Sequence, residues 1–353
     1  MHPICRVTVV MTTYNHEKYI AQAIEGVLVQ KTDFPYKLLI GEDHSTDDTA
    51  RIVEEFAKNY PEKIEAIIRP ENIGAGNNSI DLYKRVDSEY VAVCDGDDYW
   101  IDPLKLQKQV NFLNSHPDYN TVFCRCRHLF EDGLPREDEY LPLEEVLTGY
   151  YSRGYLTAAE VIYNGVTPCN LMWRWQINNI GGFPYWYNDD VFGDIALNLI
   201  HAKTGKVGFI PEVMSVYRRH NGGMWKQLDS YDENYRNYGY HLVNTMIHLK
   251  EFFNGEEEDS FNSMIDHHFQ GLFRVANKYG EIRLLIRAIS EFPSEFIRFS
   301  RDRDRMNNNA KYDISLFEST QRLKKYPRRM FLLLLLYSFV TIIIQLLILM
   351  KIK

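Results

Sequence analysis

Asp95, Asp97 and Asp98 fall within four positions, directly after the apolar run YVAVC. Like charges that close repel, so three carboxylates together point either to a solvated turn or to a bound cation. Asp95 and Asp97 flank Gly96, and both can reach one edge of a turn. Carboxylate oxygens are what a hard divalent cation takes as ligands. Asp98 stays open between a turn cap and support for its neighbours. Asp102 precedes Pro103 and reads as a helix cap, with proline at the first helical position.

Other polar clusters stand elsewhere in the chain. Thr13, Tyr14 and Asn15 follow VTVVM, and Glu42, Asp43, His44 and Ser45 follow YKLLIG. Asn72 and Gly74 sit in ENIGAGNN, and Arg218, Arg219 and His220 in YRRHNGGMW. A carboxylate at Glu42 or Asp43 suits the imide N–H of a uracil ring, or caps the helix that starts near Ser45. Asn72 and Gly74 fit either a close approach of backbone to a nucleotide or an ordinary turn. Arg218 and Arg219 suit a diphosphate, and His220 a diphosphate or a metal, with a structural histidine as the alternative. His2, His16, His116, His267 and His268 show no partner spacing and read as surface or core residues. Trp173, Trp175, Trp186 and Trp225 suit sugar stacking, but core packing explains most of them better.

The elements that must position these clusters alternate. Val7–Met11 reads as a strand, and Tyr19, Ile20, Ala23, Ile24, Val27 and Leu28 form a helical stripe. Tyr36–Glu42, Ile64–Arg69, Tyr90–Cys94 and Thr121–Phe130 read as further strands. Ile52, Val53, Phe56, Ala57 and Tyr60 form a second helical stripe, and Leu106, Val110 and Leu113 a third. Repeated β-α-β predicts a mostly parallel central sheet with helices on both faces. Such sheets bind ligands beyond the carboxyl ends of their strands, which is where four of the clusters fall. A nucleotide-diphospho-sugar poses matching problems: recognising base and ribose, neutralising the diphosphate, and deprotonating an acceptor hydroxyl. Asp95 then meets the ribose and Asp97 the metal that bridges the phosphates.

Four stretches, VTVVMTTYNHEKYIAQAIEGVLVQ, IGEDHSTDDTA, ENIGAGNN and CDGDDYW, resemble in their order and spacing the signature of glycosyltransferase family 2. The resemblance covers residues 5 to about 225. It implies the GT-A fold and an inverting transfer from a nucleotide-diphospho-sugar, with Mg or Mn as cofactor. Thr13, Tyr14, Asn15, Glu42, Asp43, Asn72, Gly74, Asp95 and Arg218 are the expected donor-binding residues, and Asp97 and His220 the expected metal ligands. The family's Asp-Asp-Gly-Ser turn is Glu42-Asp43-His44-Ser45 here, which leaves the identity of the base open. NIGGFPYW resembles the element before the family's catalytic carboxylate, and that resemblance places the base at Asp194, with Asp189 and Asp190 as rivals. The implied hexosyl transfer, from a UDP-sugar to a saccharide or lipid-linked acceptor, belongs to bacterial surface-polysaccharide synthesis. An inactive nucleotide-binding scaffold and a polyprenyl-phosphate sugar synthase are the alternatives. A dehydrogenase would need Gly-x-Gly-x-x-Gly after the first strand, and Met11–His16 holds no glycine.

The expected organisation is a GT-A domain over residues 1–225, a helical C-terminal region over 226–329 and a transmembrane helix over 330–350. Phe331–Met350 is 20 residues without a charge, enough to span the hydrocarbon core. Five cations in RLKKYPRR precede it, so a single-pass anchor with the catalytic domain on the cytoplasmic side of the inner membrane is expected. The chain carries a net −8, and residues 1–321 carry −15 once the seven cations of 322–353 are set apart. A body that acidic excludes a nucleic-acid partner. The five cysteines match neither a zinc site nor a disulfide framework, and they read as buried reduced thiols.

Overall fold

The computed structural model describes residues 5–131, 139–141, 144–164, 167–188, 192–220, 222–223 and 231–300. The chain divides into two compact units. One is Met1–Leu228 with Ile247–Phe261, and the other takes Asp229–Met246 and the residues from Asn262 on.

In the first unit, β1 (Val7–Thr13), α1 (Ile20–Leu28), β2 (Tyr36–Glu42), α2 (Thr49–Asn59), β3 (Ile64–Ile68), α3 (Ala75–Lys84) and β4 (Tyr90–Val93) alternate as the apolar periodicity requires. Then come β5 (Tyr99–Trp100), α4 (Lys105–Ser115), β6 (Tyr119–Phe130), β7 (Glu139–Leu141), α5 (Glu144–Arg153) and α6 (Ala158–Asn164). β8 (Leu171–Arg174), α7 (Gly193–Thr204) and β9 (Lys206–Arg219) complete the sheet. Among the described residues nine strands form one sheet in the order β3-β2-β1-β4-β8-β6-β9-β5, with β7 on β6.

β1 to β4 are mutually parallel where they pair. Beyond them the sheet is mixed rather than mostly parallel. β8 runs antiparallel to both β4 and β6, and β5 antiparallel to β9. Between β6 and β8 the chain runs through β7, α5 and α6 instead of one crossover helix, and β8 enters the sheet reversed. β6 and β9 are parallel to each other, so β1, β4, β6 and β9 share one direction and one carboxyl edge.

Val7, Val9 and Met11 of β1 pack with Ile20, Ile24, Val53, Leu106 and Val110 in a core from which water is excluded. The opposite face carries α3 and α7, where Asn78 donates to the Gly41 carbonyl at 2.8 Å and Trp173 donates to Asn198 Oδ1 at 3.0 Å. Helices thus lie on both faces. α5 and α6 lie within residues 144–164, and ENIGAGNN runs into α3 instead of forming only a turn. Cys94, Cys124, Cys126 and Cys169 are buried free thiols as expected, while Cys5 is half-buried.

In the second unit Tyr235 and His268 share a hydrogen bond of 2.8 Å, and Asp232 accepts from Arg274 and Lys278, each at 2.8 Å. Phe269, Phe273, Phe296 and Phe299 stack on one another.

The expected transmembrane helix and the membrane placement built on it are corrected. Among the described residues no helix is long and apolar enough to cross a membrane. The two long helices show why. α8 (Tyr231–Phe253) carries Asp232, Glu233, Arg236 and Lys250, and α9 (Glu258–Tyr279) carries Asp259, Asp266, Arg274 and Lys278. Charges at that density cannot enter hydrocarbon. Residues 330–350 lie outside the described residues. The fold class is an α/β GT-A-like sheet with a helical C-terminal region, and the single-pass anchor and its inner-membrane localisation are dropped.

Candidate active site at the carboxyl edge of the sheet

β4 ends at Val93, and the following turn carries the carboxylates to the carboxyl edge. Thr12 Oγ1 donates to Asp95 Oδ1 at 2.7 Å. Asp95 is half-buried, and desolvation together with the charge of Asp97 pushes its carboxyl up to about 7, with Asp194 adding to the rise. Burial acts on Asp97 in the same direction. There it is outweighed by the hydrogen bond from His220 and the nearby His16 ring, which hold Asp97 below the usual carboxylate range.

The contacts explain the contrast. His220 Nε2 lies 3.1 Å from Asp97 Oδ2, and the Gly222 N–H donates to His220 Nδ1 at 3.2 Å. That pattern assigns the ring proton to Nε2, which donates to Asp97. His16 Nε2 stands 3.7 Å from the same oxygen, while its Nδ1 lies 3.2 Å from Thr13 Oγ1. Gly96 makes this packing possible: a Cβ there would lie 2.5 Å from Thr13 Oγ1 and 2.9 Å from His16 Nδ1.

Asp98 and Asp102 have separate tasks. Asp98 is buried, and Arg218 N–H donates to its Oδ1 at 2.9 Å, tying the turn to β9. Burial, then the charges of Asp97 and Asp95, raise its carboxyl well above the ordinary range. Asp102 Oδ1 accepts from the Leu104 N–H at 2.8 Å, and its other oxygen accepts from Lys108 at 2.7 Å; the N-cap of α4 is Leu104, so Asp102 braces the turn before the helix instead of capping it.

Arg218 is buried beneath the turn. Its guanidinium donates to the Asp97 carbonyl at 2.6 Å and to Gln22, and it lies over the rings of Tyr99 and Tyr19 at 4.3 and 4.9 Å. Both terminal nitrogens thus meet protein partners and Nε faces Glu131 Oε1 at 3.3 Å, which makes Arg218 a clamp on the turn.

The nucleotide cluster forms a connected set. Asp43 Oδ1 accepts from Ile73 N–H and Oδ2 from Gly74 N–H, each at 2.9 Å, and Asn72 Nδ2 donates to the Asp43 carbonyl at 2.9 Å. Gly74 has φ 86°, a conformation that favours glycine. Glu42 is fully buried and accepts from the N–H groups of His44 and Ser45 at 3.2 and 2.8 Å. Its carboxylate therefore holds its own turn. Asn15 Oδ1 accepts from Thr46 N–H at 2.8 Å, which joins the β1 and β2 loops, and the Tyr14 ring is exposed.

Asp194 lies in the first turn of α7, where burial raises its carboxyl and the backbone N–H groups of Ile195 and Asp194 offset part of the rise. Its charge is felt by Asp95, Tyr83 and Tyr187, so it belongs to the same electrostatic site. Asp189, Asp190 and Trp225 lie outside the described residues. Trp173, Trp175 and Trp186 are buried in the protein. The sequence reading missed His16, Thr12, Tyr83 and Tyr187. Their only linear signal is proximity to recognised clusters, and for Tyr83 there is none.

Among the described residues no group of three or more His, Cys, Asp or Glu side chains is arranged to hold a metal ion. The carboxylates of Asp95 and Asp97 fit a hard divalent cation as a partial site. Their oxygens are the right donors, and the charge that lifts Asp95 is what a cation relieves, but phosphate oxygens or water must complete the shell. His220 fits better as a donor to Asp97 than as a ligand.

The S. aureus TarS 1–349 structure in complex with UDP-GlcNAc has the same fold, with a TM-score of 0.58 at 19% identity over 82% of this chain and 81% of that one. A mannosyltransferase from Pyrobaculum calidifontis in complex with GDP-Man and Mn2+ gives 0.50 at 18% identity, over 97% of this chain and 87% of that one. An uncharacterized protein of Mycobacterium tuberculosis is 36% identical over 227 residues, 62% of this chain; the match spans 60% of that relative's length. Residues 8–180 match the sequence model of glycosyl transferase family 2, so that stretch of the chain is a domain of that family.

Proposed function

We propose that the chain transfers a sugar from a nucleotide-diphospho-sugar to a hydroxyl of a saccharide or lipid-linked acceptor, with inversion at the anomeric carbon. The observation that carries this reading is the pair Asp95 and Asp97, held at the carboxyl edge with opposite displacements of their acidity. Such a site has surplus negative charge that a divalent cation and its diphosphate would share. The nucleotide-sugars in the TarS and mannosyltransferase structures, and the Mn2+ in the second, support the reading.

Asp97 would hold the cation, with His220 and His16 fixing its orientation, and Asp95 would lie against the ribose. A bound divalent cation supplies charge neutralisation of the departing diphosphate. The knot of Asp43, Asn72 and Gly74, with the exposed Tyr14 ring, would seat the nucleoside. Asp194 would take the proton from the acceptor hydroxyl, a task that its raised acidity range suits.

The test is a panel of nucleotide-sugars scored by thermal unfolding with and without Mg2+ or Mn2+. At least one donor should raise the melting temperature in a metal-dependent manner, as a ligand bound only to the folded state does. In Asp97→Ala the metal-dependent part of that rise should vanish while the ligand-free melting temperature stays within a few degrees. A panel in which no nucleotide-sugar stabilises the wild-type chain overturns the reading.

A further inference from the structure

An acceptor must bring its hydroxyl to Asp194, so it has to approach along the segment that leads into α7. That segment is built in an unusual way. Gly181 and Gly182 both have positive φ, 89° and 102°, and a Cβ at either position would meet no atom within 4 Å. The glycines turn the chain, and Pro184 then stiffens it. The five positions after Gly182 hold four aromatic residues, Phe183, Tyr185, Trp186 and Tyr187.

Three of the four are anchors. Phe183 stacks on Tyr187 with ring centroids 4.9 Å apart and meets Trp175 at 6.1 Å. Trp186 is buried and lies flat on His248 at 5.5 Å, with an interplanar angle of 3°. Tyr187 is buried, and its hydroxyl donates to the carbonyl of Gly193, the residue before Asp194, at 3.3 Å. Tyr185 is the exception. It is 87% exposed, the largest exposure of any large hydrophobic residue described, and among the described residues its ring meets only the edge of His248, at 6.3 Å.

A single exposed tyrosine is ordinary on a protein surface. One set between the half-buried, stacked Phe183 and the buried Trp186, on the segment hydrogen-bonded to the start of α7, is a displayed ring. Its backbone is fixed on both sides, so binding a flat partner costs little ordering. The flat partner demanded at this place is a sugar: a pyranose turns an apolar C–H face to one side and its hydroxyls to the rim, which matches an aromatic ring with a polar tip.

We propose that Tyr185 is the stacking platform for a pyranose ring of the acceptor, and so a residue that sets acceptor specificity. This inference rests on the sugar-transfer reading of the same site. It places the acceptor against the 181–188 segment and leaves the donor to the β1, β2 and β4 loops.

The test uses the full chain and the variants Tyr185→Ala, Tyr185→Phe and Tyr185→Trp on an array of immobilised oligosaccharides, without donor. Wild type, Tyr185→Phe and Tyr185→Trp should bind the same saccharides, and Tyr185→Ala should bind them about tenfold more weakly, the loss of one stacked ring. Donor-dependent thermal stabilisation should be equal in all four proteins. Equal saccharide binding by Tyr185→Ala and wild type overturns the platform, as does a wild-type chain that binds no saccharide on the array. Because saccharide binding is read without donor, a wild type that binds saccharides but no nucleotide-sugar sinks the transfer reading and spares the platform.

Discussion

At the scale of single residues, four acidic side chains within eight positions have four different fates. Asp95 is lifted to about 7, Asp97 is held low by histidine, Asp98 is tied to β9 and Asp102 braces the turn before α4. Their types and spacing were visible in the linear chain, and so was the strand that delivers them. What separates them is the partner each one meets, and those partners lie up to 123 positions away. His16 illustrates the limit: only its place beside Thr13, Tyr14 and Asn15 marks it, yet it faces Asp97 across two loops. On the proposed sugar-transfer reading, Asp194 is the residue on which the chemistry turns. The Asp194→Asn variant should lose about 10²–10⁴-fold in kcat, the usual contribution of a positioned general base, while donor stabilisation in thermal unfolding stays intact. Turnover equal to wild type would assign the base elsewhere.

At the scale of elements, the first four strands were legible because buried parallel strands read as continuous apolar runs and the helices between them as stripes. β8 and α3 were less so. Leu171–Arg174 is four residues long and surrounded by aromatics, and Ala75–Lys84 opens with Gly and Asn, residues that signal turns. Tertiary packing outweighed those local preferences, with Asn78 hydrogen-bonded to β2 and Tyr83 buried in the site. The β4 turn depends on one close approach. Gly96→Ala would set a Cβ 2.7 Å from Thr13 Cβ, on the strand paired with β4. The strain should cost about 1–3 kcal/mol, read as a lower melting temperature together with weaker metal-dependent donor stabilisation. An unchanged melting temperature would mean that the turn is looser than its packing indicates.

At the scale of the whole molecule, buried histidines couple folding to pH. Burial holds His128 and His201 uncharged, with pKa values down to about 3 and about 4, and His268 likewise at about 3, against 6.5 for an exposed ring. The unfolded chain takes up these protons first. Stability from this source is therefore complete above about pH 6.5 and is lost as pH falls toward the folded values, by up to about 1.4 kcal/mol per pH unit for each histidine. Urea unfolding between pH 7 and 5 checks this, and His201→Gln should flatten the slope. The sequence alone determined the family, the strand-helix alternation and the edge where polar chemistry collects, because these follow from local periodicity and from motifs in order. Only the tertiary structure decided that the sheet is mixed and that Glu42 and Arg218 are engaged with protein partners. It alone brought His16, His220 and Asp97 together and set Tyr185 apart from its buried neighbours. Those outcomes rest on long-range contacts and on burial, which reset acidity and hydrogen bonding in ways that no spacing along the chain records.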